Sequence, residues 1–391
     1  MKAYKFKLRP SARVASNFEC WLALLCELYN GALQERRDAY RINHLSISYK
    51  AQANQLPDIK KDRPEFARIH SQVCQNALKR VEFAFDNFFR RIKAGQIPGY
   101  PRFRSRLRYD SFTYPQSGFS LNGRKLQLSK IGKVTVRLSC PIKGRIKTCT
   151  IKREADGWYV IFAVEGEPKK ATALAPKESV GVDVGLENFA TLSDDEAAPI
   201  ENPEYFREAE KDLKTAQRRV SRRIKRSKRR KKAVQILAKK HLKVQRQRRD
   251  FHFKEAGKLV CQYQSIKVED LNIRGMVQNR YLAKSISDAG WGQFISILIF
   301  KAEEAGRRVI KVNPSYTSQE CSRCGDRNQI TLATRIYSCS QCGLVIHRDR
   351  NGAKRIEQKG RAGPSGRGKV ACLSELRTYR ATDPESPTIA R

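Results

Sequence analysis

Two Cys-x-x-Cys pairs, Cys321/Cys324 and Cys339/Cys342, stand 14 residues apart in the stretch CSRCGDRNQITLATRIYSCSQCG. No other feature of the chain restricts its fold as tightly. Four thiolates at this spacing close a tetrahedral sphere around one zinc ion, and a closed sphere leaves no position for substrate, so the zinc is structural. Glycine follows each pair (Gly325 and Gly343), and a residue without Cβ lets the backbone turn tightly beneath a metal. Cys20, Cys26 and Cys74 fall within or beside helical apolar stripes and read as small buried hydrophobes. Cys140 and Cys149 have no partner at ligand spacing.

A second constraint lies upstream, in SVGVDVGLENFATLSD, residues 179–194. A strand alternates its side chains between two faces, so Val180, Val182 and Val184 share one face and Gly181, Asp183 and Gly185 the other. A buried carboxylate without a partner costs several kcal/mol. The flanking glycines predict open space beside Asp183, suited to a cation, a phosphate or both. In CQYQSIKVEDLNIRGM the same logic turns Glu269 away from Ile266 and Val268, with Asp270 on the apolar face or at the strand end. In LVIHRDRNGAKRIE a short strand, Leu344 to Ile346, runs into a helix expected from about Asn351, with Asp349 just ahead of it. Alone, Asp349 also reads as a helix-terminal acid. Together the three acids predict a site for two magnesium (or manganese) ions, which at ~3.5–4 Å apart clamp the attacking and leaving oxygens of a phosphodiester.

The charge balance points to a polyanion. Lys and Arg number 79 against 39 Asp and Glu, a net charge of +40 over 391 residues, and so large a charge self-repels unless nucleic acid is present. A membrane surface is the rival, but no apolar run approaches the ~18–20 residues of a spanning helix. The opening MKAYKFKLRP lacks the apolar core of a secretory signal. These features predict a cytoplasmic chain with reduced cysteines.

Two stretches carry the basic character. In GYPRFRSRLRYDSFTYP, aromatic residues alternate with arginines; Arg102 and Arg104 would bond phosphates while Phe103 and Tyr109 stack on bases, a solvated basic loop being the alternative. Residues 211–250 hold 19 Lys and Arg against two acids, Asp212 and Asp250. Arg222, Arg223, Arg229 and Arg230 stand for a phosphate-tracking surface there, and Leu213, Val220, Ile224, Val234, Leu237 and Leu242 for a seam between two helices.

Elsewhere the opening alternates as a strand up to Pro10, and two helical stripes follow, Arg13–Arg37 and Pro64–Lys93. Residues 119–165 alternate as β-structure with a turn at Ala155–Asp156–Gly157. Residues 166–179 read as a linker, and the tail beyond Gly360 has no periodicity and is expected to be disordered.

The motifs GVDVGLENFATLSD, IKVEDLNIRGM, VNPSYTSQECSRCG, YSCSQCGLVIHRDRNGAKRI and YPRFRSRLRYDSFTYP occur in the order found in TnpB proteins, the OrfB family of bacterial insertion sequences, and the chain resembles that family up to about residue 360. The resemblance implies an α/β plus β-barrel architecture. A β-barrel with a helical insert at about 11–95 would occupy residues 1–175. A RuvC-like nuclease domain of RNase H fold would run over 176–315 with basic helices at 204–250, resume at 344–360, and be interrupted by a zinc ribbon at 316–343. Residues 361–391 would form the disordered tail. It further implies Asp183, Glu269 and Asp349 as nuclease acids, Cys321, Cys324, Cys339 and Cys342 as zinc ligands, and two partners. Those are a non-coding guide RNA from the element's end and double-stranded target DNA, bound by a monomer near the nucleoid. The family's alternatives are a guided binder without cleavage and a transposase acting on element ends. His347 and Gly352 depart from the acid and the alanine that the family often carries there.

Overall fold

The alternation in MKAYKFKLRP produces β1 (Lys2–Arg9), which buries Phe6 and Leu8. Pro10 stops it and the Ser11 hydroxyl accepts from the Val14 N–H (3.4 Å), capping α1 (Ala12–Asn43); a side-chain acceptor satisfies a helix N–H that has no partner within the helix. The computed structural model describes residues 1–166, 176–331, 334–361 and 368–371, and the chain divides into two compact units, Met1–Pro168 and Lys169–Arg391. No helix among the described residues is long and apolar enough to cross a membrane.

In the first unit, α2 (Tyr49–Asn54), α3 (Leu56–Asp62) and α4 (Ser71–Lys93) follow α1 before the chain returns to β-structure. The stripes predicted from sequence are the buried ones: Val14, Phe18, Trp21, Leu25, Leu28 and Leu33 face Val73, Ala77 and Val81 in one core. The second stripe is not one helix, because a 3-10 turn at Pro64–Arg68 precedes α4. Cys26 and Cys74 are buried as expected, whereas Cys20 is exposed. Strands β2 (Ser111–Tyr114), β3 (Phe119–Asn122), β4 (Lys125–Leu128), β5 (Gly132–Arg137), β6 (Arg145–Glu154) and β7 (Gly157–Glu165) join β1 in a seven-stranded antiparallel sheet. Its order is β2-β6-β7-β1-β5-β4-β3.

The edge strands β2 and β3 are consecutive in the chain. Laid flat, seven strands would hold the edges about 29 Å apart, yet the connection over residues 115–118 reaches about 18 Å at full extension. The sheet is therefore strongly curled, and Tyr114 of one edge meets Phe119 of the other at 6.4 Å between ring centroids.

The second unit begins with β8 (Lys177–Val184), β9 (Asn188–Leu192) and β10 (Ile200–Glu201), then α5 (Tyr205–Ser221) and α6 (Lys228–Gln262). After β11 (Tyr263–Glu269) come α7 (Ile273–Met276), α8 (Ala283–Ala289), α9 (Trp291–Glu304) and β12 (Arg308–Val312). β13 (Ile336–Ser338), β14 (Val345–His347), α10 (Arg348–Arg361) and β15 (Gly368–Val370) complete it. The sheet order is β10-β9-β8-β11-β12-β15, with β8, β11 and β12 mutually parallel. Val180, Val182, Ile266 and Val268 pack with Ala256 and Leu259 of α6 and with Phe294 and Leu298 of α9, and α10 crosses the opposite face.

Two expectations change here. The interhelical seam of α5 and α6 uses Leu213, Val220 and Leu237 with Val244, while Ile224, 82% exposed, lies in the turn. β15 pairs antiparallel with β12 and Ala371 enters the core, so residues 368–371 are not a disordered tail. The linker residues 167–175 and the tail residues 362–367 and 372–391 lie outside the described residues.

Candidate metal centres

The four cysteines come together through two tight turns. In the first, the Cys321 N–H donates to Asp326 O (2.8 Å) and Gly325 N–H to Cys321 O (3.0 Å). In the second, between β13 and β14, the Cys339 N–H donates to Leu344 O (2.9 Å) and Gly343 N–H to Cys339 O (3.0 Å). Gly325 and Gly343 sit at φ +82° and +68°, where a side chain would be strained. All four Sγ atoms lie within 4.8 Å of one another, and Cys321–Cys342 and Cys324–Cys339 are each 3.6 Å apart. A tetrahedron with ~2.3 Å Zn–S bonds has edges of about 3.8 Å, so the donor set fits one zinc ion. Burial pushes the Cys321 thiol up, but hydrogen bonds from the Cys324 and Arg323 amides and neighbouring thiols outweigh it and bring it down to about 7. Its partners move the other way, Cys324 up to about 12 and Cys342 up as well, so the metal-free cluster loses one proton readily and a bound metal displaces the others.

The acids are assembled from distant segments. Val268 pairs with Val182 across the parallel β8–β11 ladder, so Asp183 and Glu269, one residue further on, stand side by side on one face, on strands about 4.8 Å apart. Over that face runs α10, which begins three residues before the expected Asn351, so that Asp349 lies in its first turn. Burial raises the Asp183 carboxyl well above the usual range, and the Glu269 and Asp349 charges raise it further, against Arg348. Burial also raises Glu269, opposed by a hydrogen bond from Thr317 and by Lys359. Arg348 pairs with Asp349 at 3.1 Å. Mutually repelling oxygen donors are the chemistry that hard divalent cations take. Among the described residues the four cysteines are the group of His, Cys, Asp or Glu whose ligand atoms all lie within 4.8 Å of one another.

The glycine beside Asp183 serves another purpose than the one the sequence suggested. A Cβ on Gly181 would lie 2.0 Å from Ala353 O and 2.7 Å from Glu357 N, so helix backbone fills the space expected for a cation or phosphate. A Cβ on Gly352 would lie 2.7 Å from Asp183 Oδ2; glycine at this position leaves the carboxylate its room. Asp270 is exposed and paired with Lys311 at 3.0 Å, outside the acid cluster.

Sequence reasoning missed the residues that hold these parts together. Asn351, fully buried, donates to Glu320 O (2.9 Å) and accepts from Ser322 N (2.9 Å), tying α10 to the first cysteine turn. Thr317, 3% exposed, donates to Glu269 Oε1 (2.5 Å). Both lie in the motifs VNPSYTSQECSRCG and RDRNGA, but polar residues in loops and first turns carry no periodic signal.

The predicted nucleic-acid residues divide. Arg102, Phe103 and Arg104 are exposed, and Asn30 grips the Arg104 backbone from both sides (2.8 Å each). Tyr109 is 4% exposed, packed against Tyr29 at 6.1 Å with Arg80 over its ring. It is a core residue and cannot stack on a base. Arg222, Arg223, Arg229 and Arg230 cluster at the α5–α6 turn, the first three exposed and Arg230 half-buried with its N–H on the Ser227 cap (3.1 Å).

Comparison with known proteins identifies relatives along the chain. The OrfB_IS605 family, described as "Probable transposase", matches residues 161–280, and the "Cas12f1-like, TNB domain" family matches residues 291–356. A "Putative RNA-guided DNA endonuclease" of Streptomyces pristinaespiralis is 31% identical over 99% of this chain and 96% of its own length. The Escherichia coli "Putative RNA-guided DNA endonuclease InsQ" is 29% identical over 93% of both chains. A solved Cas12f1–sgRNA–target DNA complex overlaps 91% of this chain and 98% of its own, at 16% identity and a TM-score of 0.35.

Proposed function

This chain belongs to the OrfB_IS605 (TnpB) family, and from that premise we propose that it is an RNA-guided DNA endonuclease encoded by an insertion sequence. It pairs a non-coding guide RNA from the element's end with double-stranded target DNA, beside a short motif, and cuts through Asp183, Glu269 and Asp349. The observation that carries the reading is the β8–β11 register, which stands Asp183 beside Glu269 under the turn bearing Asp349. We read the second unit as a RuvC-like domain of RNase H fold interrupted by a zinc ribbon at 316–343. The curled sheet of the first unit, with its helical insert, is read as a β-barrel that binds nucleic acid. A monomer in the cytoplasm, at the nucleoid, accords with the net charge of +40.

Bound to the three acids, two magnesium or manganese ions would supply a Lewis acid at the phosphate and an activated water. Asp183 feels both neighbouring acids and is the central ligand; Glu269 and Asp349 flank it. Arg348 offsets the excess negative charge.

Asp183→Ala, Glu269→Ala and Asp349→Ala should each abolish magnesium-dependent cleavage while the guide and target still bind in gel shifts. Wild-type cutting by any of them would remove that acid from the site. Neutralising Arg222, Arg223, Arg229 and Arg230 should weaken binding to all sequences alike, lowering the log–log salt slope by about 0.7–0.9 for each phosphate left without its arginine. An unchanged slope would show that the turn does not track phosphates.

A further inference from the structure

Between β12 and the first cysteine turn, residues 313–322 form an arm that touches two of the three acid-bearing elements. On one side it reaches Glu269 through Thr317, whose oxygen is also held 2.9 Å from Pro314 O. On the other it is clamped to α10. Arg355 Nε bonds Glu320 Oε2 (2.7 Å), Lys359 bonds Ser315 O (2.7 Å), and Gln358 bonds Ser322 O (2.6 Å). The buried Asn351 adds its pair of bonds to residues 320 and 322. The arm is also bent where it matters: Tyr316, immediately before Thr317, sits at φ +63°. That conformation is costly for a residue with a side chain and persists where its surroundings hold it.

We propose that Thr317 is a positioning residue: its hydroxyl fixes the carboxylate of Glu269, and through the arm the cysteine cluster sets the spacing between Glu269 and the helix that carries Asp349. The inference rests on the reading of Glu269 as a metal ligand. A carboxylate free to rotate must be ordered when an ion binds, whereas one held by a buried hydroxyl is ordered beforehand. The hydroxyl touches no reacting atom, so its loss should act on metal capture more than on the rate of the loaded site.

The test uses the full-length protein with its copurifying RNA, and Mn²⁺ as probe. Mn²⁺ bound to the acids is measured by electron paramagnetic resonance as the difference from Glu269→Ala, which subtracts Mn²⁺ held by RNA. Cleavage is followed across Mn²⁺ concentrations. Thr317→Val should weaken Mn²⁺ binding and raise the half-saturating Mn²⁺ roughly tenfold, with the maximal rate much less affected, and Thr317→Ser should restore both. If the valine variant does not fold, Thr317→Ala, which adds no bulk, is held to the same expectation. Wild-type Mn²⁺ affinity in the hydroxyl-less variant, beside loss in Glu269→Ala, would overturn the positioning role and leave the nuclease reading intact. A lowered melting temperature and rate with unchanged half-saturation would also overturn it, as a merely structural role. Wild-type binding and cutting by Glu269→Ala would overturn both readings.

Discussion

The cysteines we propose to hold zinc all lie within residues 321–342, whereas the acids we propose to hold magnesium come from positions 183, 269 and 349. The cysteine centre is local: two turns present four sulfurs, and little else need fold for them to converge. The acid centre exists only once two strands have paired in register and a helix has settled across them. Their energetics run in opposite directions. Zinc on four thiolates supplies folding energy. Three facing carboxylates consume it, since the burial and like charges that raise Asp183 are unfavourable until a cation arrives. The structure joins the two through Asn351 and the arm at 313–322. A stabilised element thus buttresses a destabilised one, as sites preorganised for chemistry require.

The sharpest way to break this contrast is to remove the zinc. Wild-type protein should carry one equivalent, and Cys321→Ser should forfeit metal-binding energy on the order of 10 kcal/mol, read by metal analysis and by proteolysis within 321–342. Because the arm loses its anchor, cleavage should fall with it. Folded, active protein with well under one equivalent of zinc would refute the claim. A smaller effect tests the acid centre by packing alone. Gly181→Ala sets a methyl against the backbone of α10 and should destabilise by about 3 kcal/mol, the upper range for overpacking. Cleavage should fall while zinc content stays at wild type; concurrent zinc loss would show that the two centres do not fail separately.

The smallest effect concerns charge. With the folded Asp183 carboxyl raised, its ionised form is disfavoured by folding. The penalty is absent below the unfolded value of about 3.9, grows as pH rises, and is complete above the folded value. Asp183→Asn removes it, so metal-free Asp183→Asn protein should melt higher than wild type at neutral and alkaline pH. The gain should shrink on acidification, and magnesium or manganese should stabilise the wild type alone. Equal melting temperatures at alkaline pH would contradict a destabilised acid centre.

The two centres also differ in how far they can be read from sequence. The cysteine pairs and their glycines were legible because coordination geometry and φ > 0 turns act over a few residues. The strand acids were legible because alternation by two turns Asp183 away from Val182 and Glu269 away from Val268 before any partner is known. The helical stripes of the first unit were legible for the same kind of reason, as were most residues of the α5–α6 seam.

What alternation cannot supply is the identity of the neighbour on each face. Gly181 marked a space, but only the path of α10 decided that backbone fills it. Phe103 and Tyr109 belong to one pattern of alternating rings and arginines, and only the packing of α1 and α4 made one exposed and the other core. The strand at 368–370 has no periodic signal of its own; the free edge of β12 makes it a strand. Thr317 gained its role from the meeting of β11 with the arm, 48 residues along the chain from Glu269. Local stereochemistry and coordination act along the sequence and are written in it residue by residue, whereas burial and proximity are sums over segments that meet only in the folded chain.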